Sequence, residues 1–91
     1  MNMNEKMKVV DFGGNARGAE MVILEANVRS YLNEHPDEGY VVRTLSSVDA
    51  AIVCNWFEPR HRPNYDFRRV RAGDKVNGVD NGVIFLRRDV A

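Results

Sequence analysis

Ala50-Ala51-Ile52-Val53-Cys54-Asn55-Trp56-Phe57 is the stretch whose reading decides the fold of this 91-residue chain. Taken as extended, it sends Ala50, Ile52, Cys54 and Trp56 to one side and Ala51, Val53, Asn55 and Phe57 to the other. Both sides are largely apolar, the pattern of a strand covered on two faces. Glu58-Pro59 would stop such a strand, because proline has no amide to give the ladder. Upstream, Tyr40 to Leu45 also reads as a strand. Ser46-Ser47-Val48-Asp49 supplies turn residues between the two, so the pair reads as an antiparallel hairpin.

Further out, Val83-Ile84-Phe85-Leu86 is a second run that is apolar on both faces, entered through the turn signal Asp80-Asn81-Gly82. Phe67 to Arg71 and Lys75 to Val79 are weaker strands separated by Ala72-Gly73-Asp74. Lys8 to Phe12 is a first strand, closed by Gly13-Gly14. The glycine-rich connector 13–18 lacks both the Lys-Ser/Thr of a P-loop and the GxGxxG spacing, and reads as a flexible link and helix cap. Ala19 to His35 is a helix, with Met21, Leu24, Val28, Tyr31 and Leu32 in one apolar stripe and Pro36 as its stop. Glu25 and Arg29 stand one turn apart, as an ion pair on its wet face would.

These elements predict an α+β fold: an antiparallel sheet of four to five strands with one main helix packed on one face, in the order β-α-β-β-(β)-β. Residues 1–6 read as a mobile tail and 7–91 as a single domain. One helix covers one sheet face, yet two strands ask for cover on both. The C-terminal third of the chain or a second subunit must close the other side. A homodimer is the expected answer, since burying apolar surface contributes about 25 cal/mol per Å².

Thirteen bases balance thirteen acids, so no net charge keeps copies apart. The balance is uneven along the chain. Residues 1–40 hold seven acids and four bases, whereas 41–91 hold nine bases, nearly all arginine, and six acids. A single cysteine excludes an intramolecular disulfide and a metal cluster of CxxC type. Two histidines without paired acids make no case for a metal or other cofactor. No apolar run approaches the ~20 residues that span a bilayer, and a cytoplasmic protein without membrane partners is expected.

The segment from Arg60 to Arg71 is the candidate site. Arg60, His61, Arg62, Arg68, Arg69 and Arg71, with Tyr65 interleaved and Trp56 adjacent, could grip anions in bidentate fashion and stack on rings. Glu58 and Asp66 dilute its charge, which is weak for a long duplex. No acid–base constellation points to catalysis. Cys54 sits among apolar neighbours that oppose thiolate formation, and only a loop folded back over the strand would bring His61 to it.

The expected function is therefore a small non-catalytic binding or regulatory module for a nucleotide, a nucleic acid or an acidic protein surface. The alternatives are an adaptor or inhibitor using an apolar sheet face and, behind it, a small enzyme using Cys54 and His61. In size and type, though in no particular residue, the chain resembles accessory proteins of phages and mobile elements.

Overall fold

A computed structural model describes residues 7–12, 18–61 and 64–88. The stretch 50–57 is not a strand. It lies inside a helix, which runs from Ser47 to His61 and is the second of two. Ala50, Val53 and Phe57 recur at helical spacing and are buried, whereas Ile52 between them is 40% exposed and Val48 66%. An apolar run of eight residues satisfies periods of 2 and 3.6 alike, so its alternation carried no information about which one applied. The deciding residues lie just before it. The Ser46 hydroxyl accepts the Asp49 amide at 3.3 Å and donates to the Asp49 carboxylate at 3.2 Å. Ser46 is thus the N-cap, its hydroxyl taking the Asp49 amide, and the expected hairpin turn is the start of a helix. Pro59 falls in the last turn and leaves the Asn55 carbonyl without its helical partner, and the helix ends two residues later.

The order is β1 (Met7–Asp11), α1 (Ala19–Glu34), β2 (Gly39–Arg43), α2 (Ser47–His61), β3 (Tyr65–Arg69) and β4 (Gly82–Arg87). The sheet runs β1-β2-β4-β3 and is mixed, not antiparallel: β1 and β2 are parallel, while β4 is antiparallel to both of its neighbours. β3 therefore points the same way as β2 with β4 slotted between them. The sheet has four strands, within the four to five that the sequence suggests, but two helices replace the single one expected. Both helices lie on one face, α1 over β2 and β4 and α2 over β3 and β4. Met21, Leu24, Val28 and Leu32 of α1 and Val53 and Phe57 of α2 meet Val42, Phe67, Val83 and Phe85 of the sheet.

The other face is roofed by the chain itself. Lys75 to Val79 is not a strand. The segment 70–81 instead folds across the sheet and sets Val70, Val76 and Val79 on Val41 and Ile84. Val76 and Val79 pair with each other across Asn77 (φ 50) and Gly78 (φ 83), the positive-φ geometry of a tight Asn-Gly turn. Asn81-Gly82, in contrast, is no turn, since Gly82 opens β4. A Cβ there would lie 2.2 Å from the Val42 carbonyl, so only glycine lets β4 approach β2. Closure by the C-terminal third removes the apolar surplus that asked for a second subunit, although Met7, Val9 and Leu86 stay partly exposed at that margin. The expected tail 1–6 and most of the connector 13–18 lie outside the described residues.

Replacing Ser46 by alanine should cost about 1 kcal/mol in urea unfolding through loss of the cap. Phe57→Ala should cost about 3–5 kcal/mol, and Ile52→Ala no more than about 0.5. Equal losses at positions 52 and 57 would contradict a helix with one buried face.

Candidate functional site

The expected site residues are dispersed by the fold. Trp56, Arg60 and His61 occupy the last two turns of α2, Tyr65, Arg68 and Arg69 lie on β3, and Arg71 follows it. Arg62 is outside the described residues. Tyr65 and Phe67 are only 5% and 6% exposed, because these alternate positions of β3 face α2. Their rings contact His61, Phe57 and Phe85 and cannot stack on an incoming base. The Arg60 guanidinium lies 4.0 Å above the Trp56 ring, a cation–π pair within the protein. Arg68 Nη1 donates to the Arg69 carbonyl at 3.4 Å.

His61 is tied down on both sides. Its Nε2 meets Glu25 Oε2, with side-chain exposures of only 14% and 18%, and its Nδ1 lies 3.3 Å from the Asn64 amide. Trp56 Nε1 donates to the other Glu25 oxygen at 3.4 Å. One carboxylate thus braces α1 against α2, and the expected Glu25–Arg29 pair does not form. Burial pushes the Glu25 carboxyl up, but the His61 bond and charge, with the help of Trp56 and Arg60, outweigh it and hold Glu25 below its ordinary value. Cys54, half-buried, stands seven residues before His61 on the same helix, which separates them by about 10 Å along the axis. That spacing does not make a nucleophile–base pair.

The sheet end below this brace opens into a cleft of about 230 Å³. Arg29 and Asn33 of α1 form one wall, His61, Asn64 and Tyr65 another, and Arg87 and Arg88 at the end of β4 the third. Arg88 bonds Asp66 through Nη2 at 2.7 Å, while its buried Nε has no acceptor among the described residues. Nor does any described carboxylate pair with Arg29 or Arg87. Burial raises the Tyr65 hydroxyl pKa most, followed by Arg29 pulling it down, Glu25 up and Arg87 down. Sequence reading missed Arg29, Asn64, Arg87 and Arg88. Arg87-Arg88 after an apolar strand was a visible signal, whereas Arg29, assigned to Glu25, gave none.

A second cleft of about 300 Å³ lies between β1 and α1; Val10, Phe12, Ile23, Leu24 and Tyr40 make most of its walls, with Asp11, Glu20 and Asn27 beside them. Among the described residues no group of three or more His, Cys, Asp or Glu could hold a metal ion, and no helix is long and apolar enough to cross a membrane. Comparisons with protein families, curated proteins and solved structures find no match for this chain.

Glu25→Gln should destabilise the protein by about 2 kcal/mol, the scale of hydrogen bonds to a charged group. Because folding lowers the Glu25 pKa, its contribution is present above the ordinary carboxylate range and is lost as pH falls through the lowered value. The variant should therefore show a shallower acid-side loss of stability than the parent; an identical acid profile would rule out the brace. At the opposite pH extreme, the Tyr31 hydroxyl donates to Glu38 and is pushed up to about 12, first by that bond and then by burial. Stability from it is full below the ordinary tyrosine value and is lost as pH rises through about 12. Glu38→Gln should bring one tyrosinate absorbance step down toward about 10.

Proposed function

We propose that this chain is a small non-catalytic binding module whose cleft between α1 and the end of β4 takes an anionic group. A nucleotide, a nucleic acid and an acidic protein surface all carry such a group. The supporting observation is that two arginines without carboxylate partners among the described residues, Arg29 and Arg87, line one cleft with the unsatisfied buried Nε–H of Arg88. Donors of this kind ask for an acceptor, and a guanidinium fork matches phosphate and carboxylate oxygens alike. At about 230 Å³ the cleft is smaller than the roughly 300–1,000 Å³ of most small-molecule pockets. It suits one anionic group of a larger ligand. The tethering of both His61 nitrogens supports a binding role over proton transfer.

A second reading, as a protein–protein adaptor, draws on a different observation. Val22, Ile23, Leu45, Val48 and Ile52 are all more than a third exposed; Val48 and Ile52 stand one turn apart on α2, and Leu45 lies just before it. This is an outer helix surface, not the sheet face expected from the sequence. If it serves self-association, the protein sediments as a dimer and Val48→Asp with Ile52→Asp makes it monomeric. A monomeric parent protein removes that use.

Calorimetric titration with inorganic phosphate and pyrophosphate tests the anion site. Arg29→Ala and Arg87→Ala should each weaken binding about tenfold, the equivalent of ~1.4 kcal/mol, and added salt should weaken it further. Binding that ignores both substitutions and ionic strength would discard the reading.

A further inference from the structure

The chain contains two Asn-Gly pairs, Asn77-Gly78 and Asn81-Gly82, both in or beside the segment that roofs the second sheet face. After an asparagine, glycine is the residue whose backbone nitrogen reaches the side-chain Cγ with least obstruction, since it carries no Cβ. That approach also requires the intervening peptide to turn over, and the two pairs differ in whether it is free to do so.

The 77–78 peptide is free. Neither the Asn77 carbonyl nor the Gly78 amide has a hydrogen-bond partner among the described residues, and both residues are exposed. Asn77 has φ 50 and Gly78 φ 83. Turning their shared peptide over keeps φ positive at the asparagine and reverses its sign at the second position, which carries one tight turn into its close relative. Glycine makes that reversal without steric cost. The Asn77 side chain is only lightly held: Nδ2 donates to the Met7 carbonyl at 3.3 Å, longer than most N–H···O bonds. The 81–82 peptide, in contrast, is fixed. The Asn81 carbonyl accepts from the Thr44 amide at 2.9 Å, and Gly82 is buried at the start of β4 against the Val42 carbonyl.

We propose that Asn77 is a site of spontaneous deamidation and that its conversion loosens the 70–81 roof. The Gly78 nitrogen loses its proton to solvent and attacks Asn77 Cγ. The Cγ–Nδ2 bond breaks, ammonia leaves, and a succinimide ring is closed. Water then opens the ring at Cγ to give aspartate, or at the backbone carbonyl to give isoaspartate. One water is consumed and one ammonia lost, with no oxidant or reductant. Both products lack the donor that meets Met7, and both add a carboxylate to a segment that already carries Asp74 and Asp80. Isoaspartate also lengthens the backbone inside the turn that bonds Val76 to Val79. Those two valines cover Val41 and Ile84, so the molecule ages in one direction, from a roofed sheet to an open one.

The test incubates folded protein at mildly alkaline pH and follows each asparagine by tandem mass spectrometry, with isoaspartate confirmed by enzymatic methylation. Asn77 should convert at least about tenfold faster than Asn81, whose peptide must first break out of the sheet. The rate should rise with pH, because the backbone nitrogen reacts as its anion. Asn77→Gly, which suits the same tight turn, should abolish the fast conversion. In the isoaspartate form, separated by chromatography, the Val76 and Val79 amides should exchange at least about tenfold faster than in fresh protein. No conversion at Asn77, or equal rates at Asn77 and Asn81, overturns the site. Conversion that leaves exchange at Val76 and Val79 unchanged overturns the loosening.

Discussion

β4 has to be bonded on both edges and covered on both faces, and the rest of the fold is arranged to supply this. Val83 and Phe85 need helices above them, and Ile84 needs something below. α1 and α2 meet the first demand because each reaches β4 as well as one of its neighbours. Val70, Val76 and Val79 meet the second with a loop, at the cost of two consecutive positive-φ residues that only an Asn-Gly pair takes up readily. Gly82 is the fixed point. Its missing side chain sets the β4–β2 approach, and with it the register that pairs Val41 with Ile84.

Part of this could be read in the chain beforehand. α1 was legible because polar residues interrupt its apolar stripe and Pro36 ends it. The outer limits of β1, β2 and β4 were legible from β-branched runs next to glycine and charge. α2 was not, because Asn55 is the one polar interruption from Ala50 to Phe57, too few to mark a period. The cap at Ser46 and Asp49 was visible, but Ser and Asp serve turns and helix starts equally, through the same short side-chain bonds to backbone. That one misassignment propagated. It turned a mixed sheet into an antiparallel one, removed a helix from the cover available, and made a second subunit the expected cover. The need to close the second face followed from apolar content and not from the period; the C-terminal third was one of two covers the sequence left open, and the homodimer was the one expected.

The candidate site shows the limits of linear reading in another way. Clustering along the sequence pointed to residues 60–71, but alternation on β3 sends Tyr65 and Phe67 inward and leaves the arginines behind. The cleft takes its walls from α1, from the α2–β3 corner and from the end of β4, so residues from 29 to 88 meet there. Glu25 decided this arrangement. By accepting from Trp56 and meeting His61, it released Arg29 to stand beside Arg87 without a carboxylate. Pairing preferences within one helix are worth only ~0.2–0.5 kcal/mol, less than a charge-assisted bond in a half-buried setting.

The central position of β4 contrasts with its late place in the chain. On a ribosome, β1, β2 and β3 all emerge before the strand that joins β2 to β3. Until then the edges of β2 and β3 that will flank it have no partner, and Phe67 and Val42 have no neighbour across the gap. The furrow lasts from the end of β3 until the short segment that follows it and β4 itself have been made. Insertion of β4 then joins both halves of the sheet at once, in keeping with the all-or-none unfolding usual for a small domain.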